Sequence, residues 1–403
     1  MKIISAKYIF KDGEYINNSA IVFDDSIIEV DTLDNIKMKY PNIEHIEYSK
    51  NSIIYPGFIN LHTHLEFSAN RAKLKLGNFI EWLYSVFEYR DELVAKLDEQ
   101  TIDSAIEQMK SSGVTTFGAI SSFGADMRAC RESKLRVIYF NEVIGSSAAM
   151  VDALFQDFKL RLDESKSISD DRFYPAIAIH SPYSVHPFLL REVLNIAKKE
   201  AMLVTAHFLE SKEEREWLEG ASGAFKELFK KFFNVDTPVT SIDEFLDAFK
   251  DIKTLFTHCT QADKKELDII NQNRGSVIHC PRSNRLLNCG VLDISNVNSL
   301  LLGTDGLSSN YSLSILDELK SALFMHTKYP PKELALNLIK SVTINAANAT
   351  NLNVGNIKQG AFADFAIFEL PDDLSDESSG SLALNTIIEC RSAKEVYIAG
   401  EKI

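Results

Sequence analysis

The middle of the chain alternates short apolar runs with longer amphipathic stretches. Eight apolar runs are each bounded by polar or turn residues: Phe58–Leu61, Val114–Ile120, Arg136–Val143, Tyr174–Ile179, Leu203–Ala206, Thr254–Thr257, Ser276–Ile278 and Leu300–Gly303. Between them, segments such as Phe79–Leu97, Pro187–Glu200 and Ser312–Met325 carry apolar residues at helical spacing. Strands that alternate with helices predict a parallel sheet. Eight such units over roughly 250 residues favour a closed (β/α)8 barrel, with a doubly wound sheet as the competing interpretation.

Both ends of the chain have a different pattern. Short apolar or alternating stretches, separated by turn signals such as Asp12-Gly13, predict strands without intervening helices. These stretches are Lys2–Phe10, Ala20–Val30, Phe362–Leu370 and Glu395–Ile398. The two ends therefore differ in class from the middle of the chain.

Polar side chains stand at the carboxyl ends of most of the central runs. They are His62, His64, Glu142, His180, His207, His258, His279 and Asp305. Six of the nine histidines of the chain are in this set. Because the carboxyl ends of barrel strands meet at one rim, where active sites form, this distribution favours the barrel over the doubly wound sheet.

The ligands of a metal ion can be drawn from this rim. His62 and His64 alternate in extended chain, so both imidazoles point the same way. His207 ends a later strand and supplies a third imidazole, while Asp305, between Gly303 and Gly306, supplies a carboxylate. Three imidazoles and one carboxylate are enough for zinc and leave room for water. Taken singly, each residue also fits an ordinary role at a strand end.

Two further residues follow the same strand ends. Glu210 comes three positions after His207 and can take up and pass on a proton of the attacking water without binding the metal. Its alternative role is that of an acid at a helix start. His258 ends its strand, and alone it would be interpreted as a core histidine.

One metal ion is expected rather than two. Two-metal hydrolases often use a carbamylated lysine at the fourth strand, whereas here that strand ends in Ile179-His180-Ser181. No C-x-x-C pair occurs, which excludes the cysteine-ligated zinc deaminases. We expect one divalent ion, zinc, with iron as the alternative.

Composition limits the partners and the compartment. The 403 residues carry 43 basic and 57 acidic side chains, a formal net charge of -14, which disfavours nucleic acid and anionic membranes as partners. The five cysteines form an odd set without paired spacing, which indicates free thiols in a reducing compartment. The N-terminus lacks the pattern of a signal peptide, so we expect a cytoplasmic protein.

Five segments in this order resemble the amidohydrolase superfamily: PGFINLHTH, HSPYSVHP, AHFLES, HCPRSNRLL and GTDGLSSN. The branch is the one that contains the chlorohydrolases and the methylthioadenosine/S-adenosylhomocysteine deaminases. The similarity covers about residues 50–370, including the stretch SVTINAANATNLNVGNIKQGAFADFAIF. Within the branch, LHTHLEFSAN and CPRSNRLLNCG resemble the deaminases of the futalosine route to menaquinone.

This resemblance implies a fold. Residues 1–56 and 353–403 would form a small composite β-sandwich, and residues 57–352 the catalytic (β/α)8 barrel, in an α/β protein. The substrate would be a small purine nucleoside-like molecule, and a homodimer is the assembly to consider.

The resemblance also implies roles for individual residues. It assigns His62, His64, His207 and Asp305 as metal ligands, and Glu210 as the proton shuttle. His258 would contact the attacking water or the tetrahedral centre, and Asp305 would double as the base. His180 would contact the ring, and Glu88, after Glu81-Trp82-Leu83, would bind the ribose hydroxyls. Ser283 and Asn284 are interpreted as structural residues of the seventh loop.

The implied reaction is hydrolytic deamination of an adenine-like ring. The alternatives are deamination of methylthioadenosine, S-adenosylhomocysteine or adenosine, dechlorination or amide hydrolysis on the same scaffold, and a barrel without catalysis. The segment Tyr139-Phe140-Asn141-Glu142 lacks the arginine that homocysteine-type deaminases carry near this position. That departure disfavours S-adenosylhomocysteine.

Overall fold

The structure is a computed structural model that describes residues 1–49 and 51–403. Its strands are β1 (Lys2–Ser5), β2 (Tyr8–Lys11), β3 (Glu14–Asn17), β4 (Ser19–Phe23), β5 (Ile27–Thr32), β6 (His45–Glu47), β7 (Ser52–Pro56), β8 (Phe58–Thr63), β9 (Val114–Ser121), β10 (Arg136–Val143), β11 (Phe173–Ile179), β12 (Val204–Phe208), β13 (Thr254–His258), β14 (Ser276–His279), β15 (Leu300–Leu302), β16 (Phe365–Glu369), β17 (Glu395–Ile398) and β18 (Glu401–Lys402).

The helices follow the strands of the middle region and recur near the C-terminus. The α-helices are α1 (Leu33–Lys39), α2 (Phe79–Ala95), α3 (Glu99–Ser111), α4 (Met127–Glu132), α5 (Val151–Ser167), α6 (Pro187–Glu200), α7 (Lys212–Gly220), α8 (Gly223–Phe233), α9 (Ile242–Ala248), α10 (Lys264–Gln272), α11 (Pro281–Leu286), α12 (Ile315–Met325), α13 (Pro331–Ser341), α14 (Ile344–Thr350) and α15 (Ser379–Glu389). Short 3-10 helices cover Leu65–Asn70, Ala148–Met150 and Ile294–Asn296. No helix among the described residues combines the length and hydropathy needed to cross a membrane.

The chain divides into two compact units. The terminal unit consists of Met1–Leu61, Ile106–Phe117 and Ser314–Ile403, and the central unit consists of His62–Ala105 and Gly118–Leu313. The domains predicted from the sequence, residues 1–56 with 353–403 and residues 57–352, have other bounds than these two units, and they stay a prediction.

The terminal unit contains two sheets built from both ends of the chain. One has the order β5-β4-β1-β6 and the other β18-β17-β16-β7-β2-β3. In the second sheet β16 runs antiparallel to β7, with Ala366 opposite Tyr55, so the C-terminal strands pair with N-terminal ones. Ile9, Ile54 and Phe365 are fully buried in the core of this unit. The prediction of additional β-structure from both termini is confirmed.

Two stretches of this unit that the sequence predicts as single strands are each divided into two strands in the structure. The Lys2–Phe10 run is divided because β1 pairs with β4 and β6, whereas β2 pairs with β3 and β7. The Ala20–Val30 run is interrupted by a turn at Asp24, whose Oδ1 accepts a hydrogen bond of 3.1 Å from the Ser26 amide. Apolar pattern alone does not reveal that a chain crosses from one sheet to another.

The eight central strands form one parallel sheet in the order of the sequence, from β8 to β15. The β10 and β11 strands, for example, are paired in parallel from Val137 opposite Phe173 to Val143 opposite Ile179. Strand order reverses in a doubly wound sheet, so the sequential order decides for the barrel. Each strand coincides with one of the eight apolar runs to within two residues at either end. The predicted (β/α)8 barrel is confirmed.

The ends of the first and last barrel strands are joined by backbone hydrogen bonds. The amides of Thr304 and Asp305 donate to the carbonyl oxygen of His62, at 3.1 and 3.0 Å. Gly303 makes this approach possible, because a Cβ at its position would lie 2.7 Å from Cβ of His62. The closure therefore brings the H-x-H segment and Asp305 together at one rim.

Candidate active site

Three imidazoles converge at the rim of the barrel. His62 lies near the end of β8, His64 follows directly after this strand, and His207 lies near the end of β12. Nε2 of His64 lies 3.2 Å from Nε2 of His62 and 3.3 Å from Nε2 of His207. Nitrogens bound at about 2.0–2.1 Å to one tetrahedral zinc ion lie about 3.3–3.4 Å apart. The three side chains therefore have the spacing of a shared metal site.

The surroundings of these imidazoles keep them in the form that binds a metal. Nδ1 of His207 donates to the carbonyl oxygen of His180 at 2.8 Å, which leaves Nε2 with its lone pair free. Burial lowers the pKa of His207 well below its usual value, and the neighbouring His62 lowers it further. Burial also lowers the pKa of His62. Neutral imidazoles at this spacing fit a divalent cation.

Asp305 faces the same point from the last barrel strand. Its Oδ1 lies 3.6 Å from Nε2 of His64 and 3.8 Å from Nε2 of His62. The residue has a left-handed φ of 57°, and its Oδ2 accepts hydrogen bonds from the hydroxyls of Ser283 at 2.6 Å and Ser309 at 2.9 Å. Burial alone would raise the pKa of Asp305, but the charge that the facing imidazoles carry when protonated and the hydrogen bond from Ser283 outweigh it and lower the pKa below the usual range. The carboxyl is therefore held as a carboxylate.

Glu210 and His258 form a second pair beside Asp305. Oε1 of Glu210 lies 3.7 Å from Nε2 of His258, and ligand atoms of Glu210, His258 and Asp305 lie within 4.8 Å of one another. Nδ1 of His258 is 2.8 Å from Oδ1 of Asn284, which fixes the ring. Burial raises the pKa of Glu210 well above its usual value, followed by the charges of Asp305 and Glu214. A raised pKa favours the protonated form of Glu210, the form that can donate a proton.

Glu214 holds the turn that carries Glu210. Its carboxylate accepts hydrogen bonds from the amides of Leu209, at 3.1 Å, and Glu210, at 2.8 Å. Leu209 adopts a left-handed φ of 45°, a conformation that costs energy for a side chain of this kind. These bonds fix the direction in which Glu210 leaves β12.

His180 and Glu142 lie on the other side of His207. Ligand atoms of Glu142, His180 and His207 lie within 4.8 Å of one another. Nδ1 of His180 contacts the hydroxyls of Ser181 and Ser184, at 2.8 and 2.6 Å. Burial lowers the pKa of His180 to about 4. A neutral ring at this place can donate or accept a hydrogen bond but carries no charge.

One cavity of the central unit is lined by most of these groups. Its buried end presents His64, His207, Glu210, His258 and Asp305. One face of α2 forms a wall that carries Trp82, Leu83, Val86, Phe87 and Arg90, and α8 adds Leu228, Phe229 and Phe233. Nε1 of Trp82 donates to the carbonyl oxygen of Ser308 at 2.9 Å, which ties the start of this wall to the loop after Asp305. A planar, largely apolar ligand fits such walls.

The structure does not bring Glu88 to this cavity. Its side chain is exposed and lies outside the cavity lining. At about 100° per residue, the lining face of α2 is centred between Val86 and Arg90, and Glu88 projects from the opposite side of the helix. The sequence predicts Glu88 on the correct helix but on the wrong face of it. A shift of one or two residues in the sequence match turns a side chain by about 100–200° around the helix axis.

Two residues interpreted as structural in the seventh loop contact the site directly. Helix α11 begins at Pro281, immediately after β14, and its first turn carries Ser283 to Asp305 and Asn284 to His258. The motif HCPRSNRLL contained this signal, since a polar pair in the first helical turn after a barrel strand lies at the rim. Glu142, which the sequence predicts only as a polar residue at a strand end, also lines the cavity.

Known proteins resemble this chain in sequence. A model of the amidohydrolase family matches residues 53–403. The chain belongs to the amidohydrolase family. This family is metal-dependent, in agreement with the cluster of His62, His64 and His207, and the family resemblance predicted from the sequence is confirmed.

Individual relatives cover the whole chain. It is 43% identical over 404 residues to an aminodeoxyfutalosine deaminase of a Nitratiruptor species, covering 100% of this chain and 99% of the relative. It is 32% identical to an adenosine deaminase of Helicobacter pylori, covering 100% of this chain and 99% of the relative.

A solved structure agrees with this picture. The structure of Helicobacter pylori aminofutalosine deaminase in complex with methylthio-coformycin superposes with a TM-score of 0.94 at 33% identity, covering 100% of both chains. The relatives are thus deaminases, hydrolases that act on carbon–nitrogen bonds, as the sequence predicts.

Proposed function

We propose that this chain hydrolyses the 6-amino group of an adenine nucleoside-like substrate to an oxo group and releases ammonia. The proposed substrate is 6-amino-6-deoxyfutalosine, which assigns the enzyme to the futalosine route to menaquinone. The observation that carries the proposal is a cluster of three imidazoles, two of which line the same cavity as the Glu210–His258–Asp305 group. The 43% identity to an aminodeoxyfutalosine deaminase supports the choice of substrate.

His62, His64, His207 and Asp305 would hold one divalent ion. The donor set of three imidazoles and one carboxylate suits zinc, and iron(II) is the alternative. When bound, such an ion polarises a water molecule and lowers its pKa towards about 7.

The proton steps are assigned to two carboxyl groups. Asp305, held as a carboxylate, accepts a proton from the attacking water as its oxygen adds to the amine-bearing ring carbon. Glu210, which retains its proton because of burial, donates it to the adjacent ring nitrogen. As the carbon–nitrogen bond breaks, Asp305 returns its proton to the leaving amine, and Glu210 takes up the proton of the added hydroxyl. Ammonia and an oxo ring result, and both carboxyl groups regain their initial states.

His258 and His180 position the ring in this scheme. The contact of Nδ1 with Asn284 fixes the imidazole of His258, so Nε2 can hydrogen-bond the oxygen that adds to the ring. His180, whose ring lies 5.1 Å from that of His207 at the fourth strand end, would contact the purine. Both are buried or half-buried against the cavity, so these hydrogen bonds form without competition from bulk water.

Deamination of adenosine or methylthioadenosine is the second candidate. It uses the same chemistry with a different 5′ group, and the 32% identity to an adenosine deaminase favours it. S-adenosylhomocysteine is disfavoured, because the position near the third strand end carries the buried carboxyl of Glu142 rather than an arginine.

A deamination panel tests the proposal. The metal-loaded protein is assayed by ultraviolet absorbance and ammonia release with aminodeoxyfutalosine, methylthioadenosine, S-adenosylhomocysteine, adenosine and guanine. We expect the highest kcat/KM for aminodeoxyfutalosine. A higher kcat/KM for adenosine would favour the second candidate. No ammonia from any of the five compounds would contradict the deaminase assignment.

A further inference from the structure

One buried carboxyl group in the PGFINLHTHLEFS segment takes no part in the proposed reaction. Glu66 lies two residues after His64, in the first turn of the 3-10 helix Leu65–Asn70, and is 2% exposed. Burial of a carboxyl group costs several kcal/mol unless hydrogen bonds compensate for it, so its partners indicate its role.

Its partners lie at the last residue of β9 and in the segment that follows this strand. The carboxylate accepts hydrogen bonds from the amides of Ser122, Phe123 and Ala125, with closest distances of 2.6, 3.0 and 2.7 Å. The hydroxyl of Ser121 adds a fourth contact at 3.3 Å. We call Ser122–Ala125 the Glu66-bound loop. A carboxylate that accepts several amides of one short loop fixes the backbone of that loop.

The Glu66-bound loop carries an aromatic residue at the mouth of the cavity. Phe123 lines the cavity although it is 53% exposed. Its ring lies 6.5 Å from that of Phe67, which in turn lies 6.0 Å from the imidazole of His64. Phe67 and Phe123 therefore form a continuous aromatic wall from the metal cluster to the mouth.

Two other exposed apolar side chains line the same cavity. Ile144 is 39% exposed and Phe233 is 49% exposed. Together with Phe123 they surround the mouth with apolar surface that water contacts in the free protein. Apolar surface of this kind around a cavity marks a binding site for an apolar group.

We propose that Glu66 is a positioning residue that fixes Phe123 as part of a binding site for an apolar or aromatic 5′ group of the substrate. The inference rests on the proposed function. Because the amine-bearing carbon must reach Glu210 and Asp305 at the buried end, the 5′ end of the nucleoside points to the mouth. A ligand group there covers Phe123, Ile144 and Phe233, and the hydrogen bonds of Glu66 hold Phe123 in place before the substrate binds.

Kinetics of the metal-loaded enzyme with two nucleosides test this inference. Methylthioadenosine carries an apolar 5′ group, and adenosine carries a hydroxyl there. In F123A we expect KM for methylthioadenosine to rise about 10-fold, as expected for loss of a few buried methylene equivalents. We expect kcat to change less than about 2-fold, and both constants for adenosine to stay close to those of the wild type.

The Glu66→Gln variant tests the positioning role. Its amide nitrogen cannot accept the loop hydrogen bonds, so we expect the same selective rise in KM, and no further rise in the double variant E66Q/F123A. Metal content and the midpoint of thermal unfolding are measured for every variant. The control is Glu132→Gln, at the exposed end of α4, with unchanged kinetics. If E66Q loses metal or folds poorly, the kinetics of F123A alone decide the binding-site inference. If the two substitutions raise KM for methylthioadenosine additively in the double variant, the positioning role is overturned.

The outcomes separate this inference from the proposed function. If the wild type deaminates neither these nucleosides nor aminodeoxyfutalosine, the proposed function and the inference both fail. If the wild type is active and F123A changes KM equally for methylthioadenosine and adenosine, or changes neither, only the inference is overturned.

Discussion

Ser283 donates a hydrogen bond of 2.6 Å to Oδ2 of Asp305, while Oδ1 of the same carboxylate faces His62 and His64. The hydroxyl therefore holds the carboxylate in the orientation that turns Oδ1 towards the two imidazoles. Partners of this kind orient ligands, and their loss reduces metal affinity or activity about 10–100-fold.

Replacement of Ser283 by alanine should weaken metal binding by a factor in that range. The cause is that Oδ2 of Asp305 loses the shorter of its two serine contacts and keeps the one with Ser309, at 2.9 Å. Competition with a chelator measures the affinity. The control is Ser295→Ala in the 3-10 helix Ile294–Asn296, with wild-type affinity expected. Equal affinity of both variants for the metal would show that Ser283 does not orient Asp305.

Replacement of His207 by alanine should remove the metal. The variant loses one of the four proposed ligands, the imidazole whose Nε2 lies 3.3 Å from Nε2 of His64, and the remaining three are not arranged to hold the ion without it. Metal content of the purified protein is measured by elemental analysis. His186→Ala is the control, since His186 caps α6 and accepts a hydrogen bond from the amide of Phe188. A full complement of metal in H207A would contradict the ligand assignment.

Replacement of Glu210 by glutamine should reduce kcat about 10²–10⁴-fold while the metal stays bound. The amide has the shape of the carboxyl group, but it cannot donate a proton to the ring nitrogen or take one up from the added hydroxyl. Steady-state deamination rates and metal content are measured together. Glu213→Gln, on the first turn of α7, serves as the control. Near-normal turnover of E210Q would rule out the proton-shuttle role.

Replacement of Gly303 by alanine should destabilise the protein by about 1–3 kcal/mol, the usual cost of added volume in a packed interior. The new Cβ would lie 2.7 Å from Cβ of His62 and 2.9 Å from Cγ2 of Ile278. Gly220→Ala is the control, because its Cβ meets only Oγ of Ser222, at 3.4 Å. Denaturant unfolding measures both free energies. A loss of less than about 0.5 kcal/mol in G303A would show that the strand ends adjust easily.

The barrel was predictable because its strands are buried on both faces and so appear as uninterrupted apolar runs. Pro187–Glu200 was predicted with its observed ends, since Pro187 stands at the first turn and its apolar residues recur at helical spacing. The Lys2–Phe10 run shows the limit of this method. Its residues suit a strand throughout, and only the partners of β1 and β2 reveal that two sheets share it.

The candidate site was predictable where a residue directly ends a strand. His62, His64, His207 and Asp305 meet because strand register alone brings them to the rim. Whether a residue on a helix reaches the site depends on the direction of its side chain around the helix axis. An error of one residue in its predicted position changes that direction by about 100°. Glu88 on α2 was therefore placed on the wrong face. Ser283 on α11 was not recognised as a contact of Asp305.

A buried acid outside the reaction makes stability depend on pH. Asp126 is fully buried, and its Oδ1 accepts a hydrogen bond of 2.8 Å from the hydroxyl of Tyr139. Its Oδ2 has no partner among the described residues. Burial, followed by the charge of Glu66, raises the pKa of Asp126 from 3.8 to about 8. The native protein therefore keeps a proton on Asp126 that the unfolded chain releases above pH 4.

Replacement of Asp126 by asparagine should remove part of the loss of stability between pH 4 and pH 8. In that window the unfolded wild type binds fewer protons than the native state, so the free energy of unfolding falls as pH rises. Asparagine can still accept from Tyr139 and does not ionise. Denaturant unfolding at pH 5, 6.5 and 8 measures the effect, with Asp152→Asn on the exposed side of α5 as control. We expect D126N to gain stability relative to the wild type as pH rises; a difference that is the same at all three pH values would contradict the raised pKa of Asp126.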